Sequence, residues 1–276
     1  MASGSTNEGS ATAATVDGQI RRLRDGEAVL LVDRRGRRQL KRLRAGHRLT
    51  IRSSVLACDR IIGLPEGSRI GGGRDEEFLV FRPGYAEIVP LLERPAEPIF
   101  AKDAGLILTR GDIRPGQTVV EIGVGCGALS MLLHRAVQPG GRLVTYEIRE
   151  DFAEEARRNM QRFEGEAEAW TIRIRDAATG LDEKGVDRIV IDVPDIAAML
   201  AAASDALRDG GILVAFSPTV MQVRATHDRA AQCAFTLAET FEVLERRWHI
   251  DAVSMRPDHR MVAHTGFLTV MRRLAR

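Results

Sequence analysis

Thr118-Val-Val-Glu-Ile-Gly-Val-Gly-Cys-Gly-Ala-Leu-Ser130, followed by an apolar helix and by Arg142-Leu-Val-Thr-Tyr-Glu147, is the stretch that decides the fold. Val119 to Ile122 reads as a buried strand. It runs into three glycines spaced two apart, Gly123, Gly125 and Gly127. A helix opens at once, with Ala128, Leu129, Leu132, Leu133, Ala136 and Val137 apolar, and stops at Gln138-Pro139-Gly140-Gly141. A second strand ends on Glu147. Glycines let a backbone come close to a ligand and take up angles that other residues resist. A loop that opens a helix points free N–H groups at whatever lies above it. In an open α/β sheet that place, the carboxyl end of the first strand, is where ligands bind. An acid about 20 positions beyond the glycines is placed to accept hydrogen bonds from a ribose diol, and Glu147 lies 20 residues after Gly127.

The loop discriminates between cofactors. A dinucleotide site wants Gly-x-Gly-x-x-Gly. Here the pattern is Gly-x-Gly-x-Gly, with the acid Glu121 two positions before it, and no Lys-Ser/Thr pair follows that could make a P-loop. This pattern resembles the first motif of S-adenosylmethionine (SAM) methyltransferases.

Outward from the loop the rhythm continues. Asp151 to Arg162 reads as a helix and Trp170 to Ile174 as a third strand, followed by Asp176. Gly185 to Asp192 is a fourth strand ending in Asp192-Val193-Pro194-Asp195, where Pro194 can open a helix. Ala197 to Leu207 is a helix, Ile212 to Phe216 a fifth strand, and Glu242 to His249 with Gly266 to Met271 a final strand pair. Alternating strands and helices closed by a hairpin predict a doubly wound, seven-stranded α/β sheet.

Toward the N-terminus, residues 18–83 have a different texture: short apolar runs alternate with turns such as Asp33-Arg34-Arg35-Gly36 and Gly71-Gly72-Gly73, which predicts a small β domain. Arg34 to Arg60 holds ten Arg or Lys and one acid, Asp59. That run is either a solvated face or a basic surface for a phosphate backbone. It contains no aromatic residues, so base stacking is not expected from it. Residues 1–17, mostly small and polar, read as a disordered tail without signal-peptide character. Residues 84–276 complete the organisation as the cofactor domain.

Composition narrows the class. With 40 basic and 38 acidic residues the net charge is +2, so no global field demands nucleic acid. Three widely spaced cysteines, Cys58, Cys126 and Cys233, give neither metal-ligand spacing nor a disulfide framework and point to a reducing, cytoplasmic setting. Cys126 reads as a small filler, since no base is placed to activate it. No apolar run approaches membrane-spanning length. No metal site is expected.

Beyond the loop, further residues match a family. They are Ile62-Gly63-Leu64 with Gly67-Ser68, Phe78-Leu-Val-Phe-Arg-Pro83, Lys102-Asp103-Ala104, Glu121 to Leu129, Arg135-Ala136-Val137, and Tyr146-Glu147 with Arg149. Later come Pro218-Thr219, Gln222-Val223, Arg246 with Trp248, Arg256-Pro257, His264-Thr265 and Phe267-Leu268. The chain resembles the tRNA (adenine-N1)-methyltransferases that modify the T-loop adenine. The resemblance implies a Rossmann-like SAM methyltransferase domain beside a small N-terminal β domain, SAM as donor, tRNA as substrate and a homotetramer. It places Gly123, Val124, Gly125, Cys126, Gly127, Ala128 and Leu129 around SAM, with Glu147 on its ribose and Asp176 near its adenine. It makes Asp192 the catalytic acid. Phe100, Lys102, Asp195 and His264 are candidates to line the acceptor pocket.

The departures cluster at the acceptor side. Phe100-Ala101 stands where the family usually has Tyr-Pro, Ile196-Ala197 where it carries Pro-Trp, and Cys58 where a His is usual. An amine on a peptide or small metabolite is therefore an alternative acceptor, and a non-catalytic RNA-binding subunit a third reading.

Overall fold

The computed structural model describes residues 22–52, 54–73, 76–92 and 97–275; the tail expected at 1–17 lies outside them. The chain divides into two compact units, one up to Arg82 and one from Pro83.

The first unit is built from β1 (Ala28–Asp33), β2 (Arg38–Arg42), β3 (Arg48–Ile51), β4 (Ser54–Ala57), β5 (Ser68–Gly73) and β6 (Glu76–Phe81). Four of them form an antiparallel sheet in the order β2-β1-β6-β5, and β3 pairs with β4. Val29, Leu31, Leu43, Ile51, Leu56, Ile61, Phe78 and Val80 make its core. The run Gly71-Gly72-Gly73 reads as a turn in the sequence but belongs to β5. The reason is packing: a Cβ on Gly72 would stand 2.6 Å from the Phe78 ring and 3.0 Å from Ser54 Oγ. Glycine there admits a close approach rather than a reversal.

The second unit starts with a short helix, α1 (Tyr85–Ile88), continued through Pro90 as a 3-10 turn, and α2 (Ala101–Arg110). Then come β7 (Thr118–Ile122), α3 (Ala128–Val137), β8 (Arg142–Glu147), α4 (Glu150–Phe163), β9 (Trp170–Ile174), β10 (Val186–Ile191), α5 (Ile196–Ala206), β11 (Leu207–Ser217), α6 (Val220–Ala230), β12 (Phe235–Phe241), β13 (Trp248–Ile250), β14 (Met255–Pro257) and β15 (Phe267–Arg273). Seven strands form one sheet in the order β12-β15-β11-β10-β7-β8-β9. The five from β7 to β11 run parallel, and β15 and β12 add antiparallel pairings at one side. The seven-stranded sheet expected from the strand–helix alternation is therefore present. The four inner parallel strands β7, β8, β10 and β11 are largely buried on both faces, as helix-covered sheets require, while the edge strand β9 is open to solvent. Val120, Ile122, Ile189 and Ile191 pack on one side with α5, while Val119, Val190 and Val214 pack on the other with α2 and α3.

One strand lies elsewhere than the sequence suggests. The partner of β15 is Phe235–Phe241, not Glu242 to His249. Pairing slips between Thr236 and Glu239, and Leu237 takes a left-handed φ of 52° and is 75% exposed. This bulge breaks the in–out alternation by which a strand is read. Trp248–Ile250 forms instead a separate hairpin with β14.

Candidate functional site

The carboxyl ends of β7, β8 and β10 meet around the glycine loop, and each glycine serves a different need. Gly123 has φ +94°, and a Cβ there would stand 2.2 Å from the Asp192 carbonyl oxygen and 2.8 Å from Val193 Cγ1. Gly127, φ +81°, lies against α4, where a Cβ would come within 3.0 Å of Ala156. Gly125, φ +52°, has nothing within 4 Å. The protein itself thus demands two of the three glycines, and the open side of the loop is at Gly125. Gly127 is the N-cap of α3 and offers no side chain to its first turn, so the amides there are left for a ligand. Asn159 of α4, buried, donates to the Cys126 carbonyl at 3.0 Å and fixes the loop from behind. Cys126 is itself buried and packs with Ile88, Val89, Met131 and Met160. Ala128 and Leu129 are buried too, so their side chains are closed off and only their backbone is open to a ligand.

Glu147 closes the loop's other side. Its Oε2 accepts from the Val124 amide at 3.1 Å, and its Oε1 accepts from the amides of Ile148 and Arg149 at 2.8 and 2.9 Å. Three backbone donors hold the carboxylate in one orientation. Ile148 beside it is 69% exposed, a large apolar side chain that a flat ring could cover. Sequence reading missed it, because one isoleucine after a strand carries no signal.

The remaining acids differ in what engages them. Glu121 is fully buried: its Oε2 accepts from Ser130 Oγ at 2.6 Å and Thr145 Oγ1 at 2.7 Å, and its Oε1 has no partner. Burial pushes its pKa up to about 8, partly offset by those two hydroxyls, with Asp192 and Glu147 adding to the rise. Asp176 caps the short turn Ala177–Thr179 through the Ala178 amide at 2.9 Å. Asp195 caps α5 through the Ala198 amide at 3.1 Å. Asp192 caps nothing. Its amide donates to Ile122 O at 2.8 Å, locking the end of β10 to β7. Among the described residues, nothing hydrogen-bonds its carboxyl. The residue keeps a partial opening to solvent, yet enough protein surrounds the carboxyl that burial pushes its pKa up to about 7. Pro194 O, two residues on, is held by Gln222 Nε2 of α6 at 2.9 Å, a contact across 28 residues with no local signal.

Two of the acceptor-side candidates, Lys102 and His264, lie against the same two segments, 242–243 and 264–265. Phe100 and Lys102 line a cleft of about 400 Å³ with Val89, Arg247, Arg260 and Met261. Lys102 Nζ, however, is committed to Asp103 at 2.9 and 3.0 Å, to Val243 O at 2.8 Å and to Thr265 Oγ1 at 2.6 Å. His264 gives its ring nitrogens to Glu242 Oε2 and Pro218 O, both at 3.0 Å, and tilts over Phe267 with centroids 4.8 Å apart. Ile196, which with Ala197 stands where the family usually carries Pro-Trp, is buried in the core. Among the described residues no group of His, Cys, Asp and Glu could hold a metal, and no helix is long and apolar enough to cross a membrane.

An open glycine turn, an uncapped helix start, a fixed carboxylate on the neighbouring strand and a free one across the loop suit a cationic nucleoside cofactor. With the sheet order they define a SAM-dependent methyltransferase. Residues 91–264 match the family model described as the tRNA methyltransferase complex GCD14 subunit, and residues 22–70 the TrmI-like N-terminal model. The chain is 33% identical over 268 residues to the tRNA (adenine(57)-N(1)/adenine(58)-N(1))-methyltransferase TrmI of Methanocaldococcus jannaschii, covering 88% of this chain and 94% of the relative. It is 30% identical to the tRNA (adenine(58)-N(1))-methyltransferase TrmI of Thermus thermophilus, over 89% and 96% of the two chains. The crystal structure of a SAM-dependent O-methyltransferase from Thermotoga maritima superposes with a TM-score of 0.87 at 29% identity, covering 92% and 95%. That of tRNA (m1A58) methyltransferase TrmI from Aquifex aeolicus does so with 0.80 at 28%, covering 93% and 100%. The protein belongs to the tRNA (adenine-N1)-methyltransferase family.

Proposed function

We propose that this enzyme methylates N1 of an adenine in tRNA, and that Asp192 is its catalytic residue. The observation that carries the assignment is the contrast among the acids at the carboxyl edge of the sheet. Glu121, Glu147, Asp176 and Asp195 are each engaged by hydroxyls or backbone amides, while among the described residues nothing hydrogen-bonds the Asp192 carboxyl. SAM, when bound, supplies an electrophilic methyl group on a sulfonium.

The chain's part is to hold and orient. Gly125 and the α3 amides would hold the cofactor, Glu147 would accept from its ribose, and Asp176 would serve its adenine. Glu147, together with Asp192 once it is ionised, makes a site that favours a cation. Asp192 accepts the N–H of the target's exocyclic amine, which aims N1 at the methyl group. As N1 becomes quaternary, positive charge spreads over the amidine, and the same carboxylate stabilises it. Phe100 offers an apolar face to the base but no hydroxyl. The tRNA named for the relatives favours this acceptor over a peptide or metabolite amine, and the intact loop with a free Asp192 disfavours a non-catalytic subunit.

Self-association into a homotetramer fits the exposed apolar side chains of the β13–β14 region: Trp248, Ile250, Val253 and Met255 are 58–96% exposed, a patch a second copy would cover. Three free, buried cysteines agree with a reducing cytoplasm. The division into a small β domain ending near residue 83 and a methyltransferase domain beyond it completes the assignment. The test is incubation of purified protein with SAM and unmodified tRNA, followed by nucleoside mass analysis for 1-methyladenosine. Absence of that nucleoside while SAM still binds would overturn the acceptor.

A further inference from the structure

The arginine-rich run of the first unit folds into a cleft. The turn after β1 and the tip of the β3–β4 hairpin bring Arg34, Arg35, Arg37 and Arg52 around a space of about 560 Å³, with Asp33, Glu76, Glu77 and Phe78 as its other walls. The acids are engaged. Asp33 accepts from the Arg35 and Arg37 amides at 2.9 and 3.0 Å and from Arg37 Nε at 2.5 Å. Glu77 lies 3.5 Å from Arg34 and 3.2 Å from Arg69. Glu76 accepts from the Ser54 hydroxyl. Among the described residues, no acid pairs with the guanidinium of Arg35 or Arg52, and both residues are exposed.

Arg52 has a further peculiarity. Its φ is +56°, a left-handed conformation that glycine adopts without strain and arginine does not. The hairpin tip therefore carries a long cation at a position whose backbone suits glycine.

We propose that this cleft is a docking site for an RNA phosphate backbone, with Arg35 and Arg52 as its phosphate contacts. The inference rests on the reading of the substrate as tRNA and deepens it. Guanidinium forks match phosphate oxygens. The one aromatic wall, Phe78, is only 3% exposed, so bases find no stacking surface. The cleft therefore contributes affinity and placement and reads no sequence.

Two RNAs test it: unmodified tRNA, and an unrelated RNA duplex that carries no target. Binding of each is measured across a salt series for the full chain, for an Arg35→Ala/Arg52→Ala variant and for an Arg35→Lys/Arg52→Lys variant. SAM affinity by calorimetry and the melting temperature confirm that the folded catalytic unit is unchanged. The alanine pair is expected to bind both RNAs on the order of tenfold more weakly, with the log–log salt slope reduced by about 1 to 2. KM for tRNA rises while kcat at saturation holds, and the lysine pair recovers most of the slope. An alanine pair with wild-type affinity and slope overturns the inference and leaves the tRNA reading intact. Arginine-dependent duplex binding by a protein that methylates no tRNA supports the cleft and overturns the reading. A wild-type chain that binds neither RNA overturns both.

Discussion

A Cβ placed on Gly123 would stand 2.2 Å from the carbonyl oxygen of Asp192. The glycine loop and the strand end that carries Asp192 are thus in backbone contact, and neither can shift without the other. Gly123→Ala meets both this clash and a φ of +94°, so a loss of about 3 kcal/mol is expected. For a unit of this size that lowers the melting temperature by roughly 6–12 °C. Gly125→Ala meets no atom within 4 Å; it should cost only about 1 kcal/mol and instead weaken SAM binding by an order of magnitude or so. Calorimetry and thermal melts on the two variants separate these outcomes. Equal melting temperatures for both would refute the assignment of distinct roles.

Asp192 sets the pH dependence. Its pKa of about 7 against the ordinary 3.8 means that the folded chain holds a proton which the unfolded chain releases. Its contribution to stability is fully present below about pH 4 and is lost as pH rises through 7. Glu121, at about 8, carries the same trend further up. On the catalytic role proposed for Asp192, activity runs the other way, because only the ionised carboxylate accepts the substrate N–H. The ratio kcat/KM should rise with pH through about 7 and level off. Asp192→Asn should lower kcat by about 100- to 1000-fold and flatten the fall of stability between pH 4 and 7. A full-rate Asn variant, or a rate independent of pH over that range, would count against the role.

The contrast between Gly123 and Leu237 explains how much could be read from the chain alone. β7, its loop, α3 and β8 were legible because strand, turn, helix and acid are all encoded within 30 residues by local rules: buried β-branched runs, positive-φ glycines, a helical apolar period. β12 was not, because Leu237 at φ 52° interrupts the alternation and the pairing that rescues the strand comes from β15. The same division holds at the site. Glu147 and Asp192 could be placed because each ends a strand. The helix-capping duties of Asp176 and Asp195 were equally local, but which acid stays free depends on partners. Asn159 behind Cys126 and Gln222 on Pro194 act across 33 and 28 residues, distances over which sequence carries no pattern. Gly71 to Gly73 looked like a turn because a glycine that admits Phe78 and one that bends the chain are the same letter.

His264 offers a second titration, independent of catalysis. Both ring nitrogens face acceptors, the Pro218 carbonyl and the Glu242 carboxylate, so the imidazolium satisfies both while a neutral ring satisfies one. The Pro218 carbonyl first, and Glu242 next, hold its pKa above the usual 6.5. The tie between the β11 and β15 ends is therefore fully present below pH 6.5 and lost as pH rises through the elevated value. NMR titration should find His264 above its ordinary pKa, and Glu242→Gln should bring it down. Because the pair is exposed, added salt should shrink the Glu242 part of the shift. A His264 that titrates at or below 6.5 removes the cross-tie from the account.

Lys102 was a candidate for the acceptor pocket, and its surroundings point to a different test. The ammonium is 8% exposed and Asp103 fully buried, and Thr265 Oγ1 also donates to Asp103 Oδ2 at 2.7 Å. The network pins α2 to the Val243 carbonyl and to the segment entering β15. Lys102→Met leaves the buried Asp103 carboxylate without its cation and should cost about 3–5 kcal/mol. Removing an exposed partner, as in Arg224→Ala beside Asp228, should cost less than about 1 kcal/mol. Urea unfolding of both variants gives the comparison. If Lys102 instead served mainly to contact substrate, its Met variant would melt like the wild type and lose affinity for tRNA alone. The four oxygens around Nζ argue for the first outcome, since an ammonium has three protons and all are already taken.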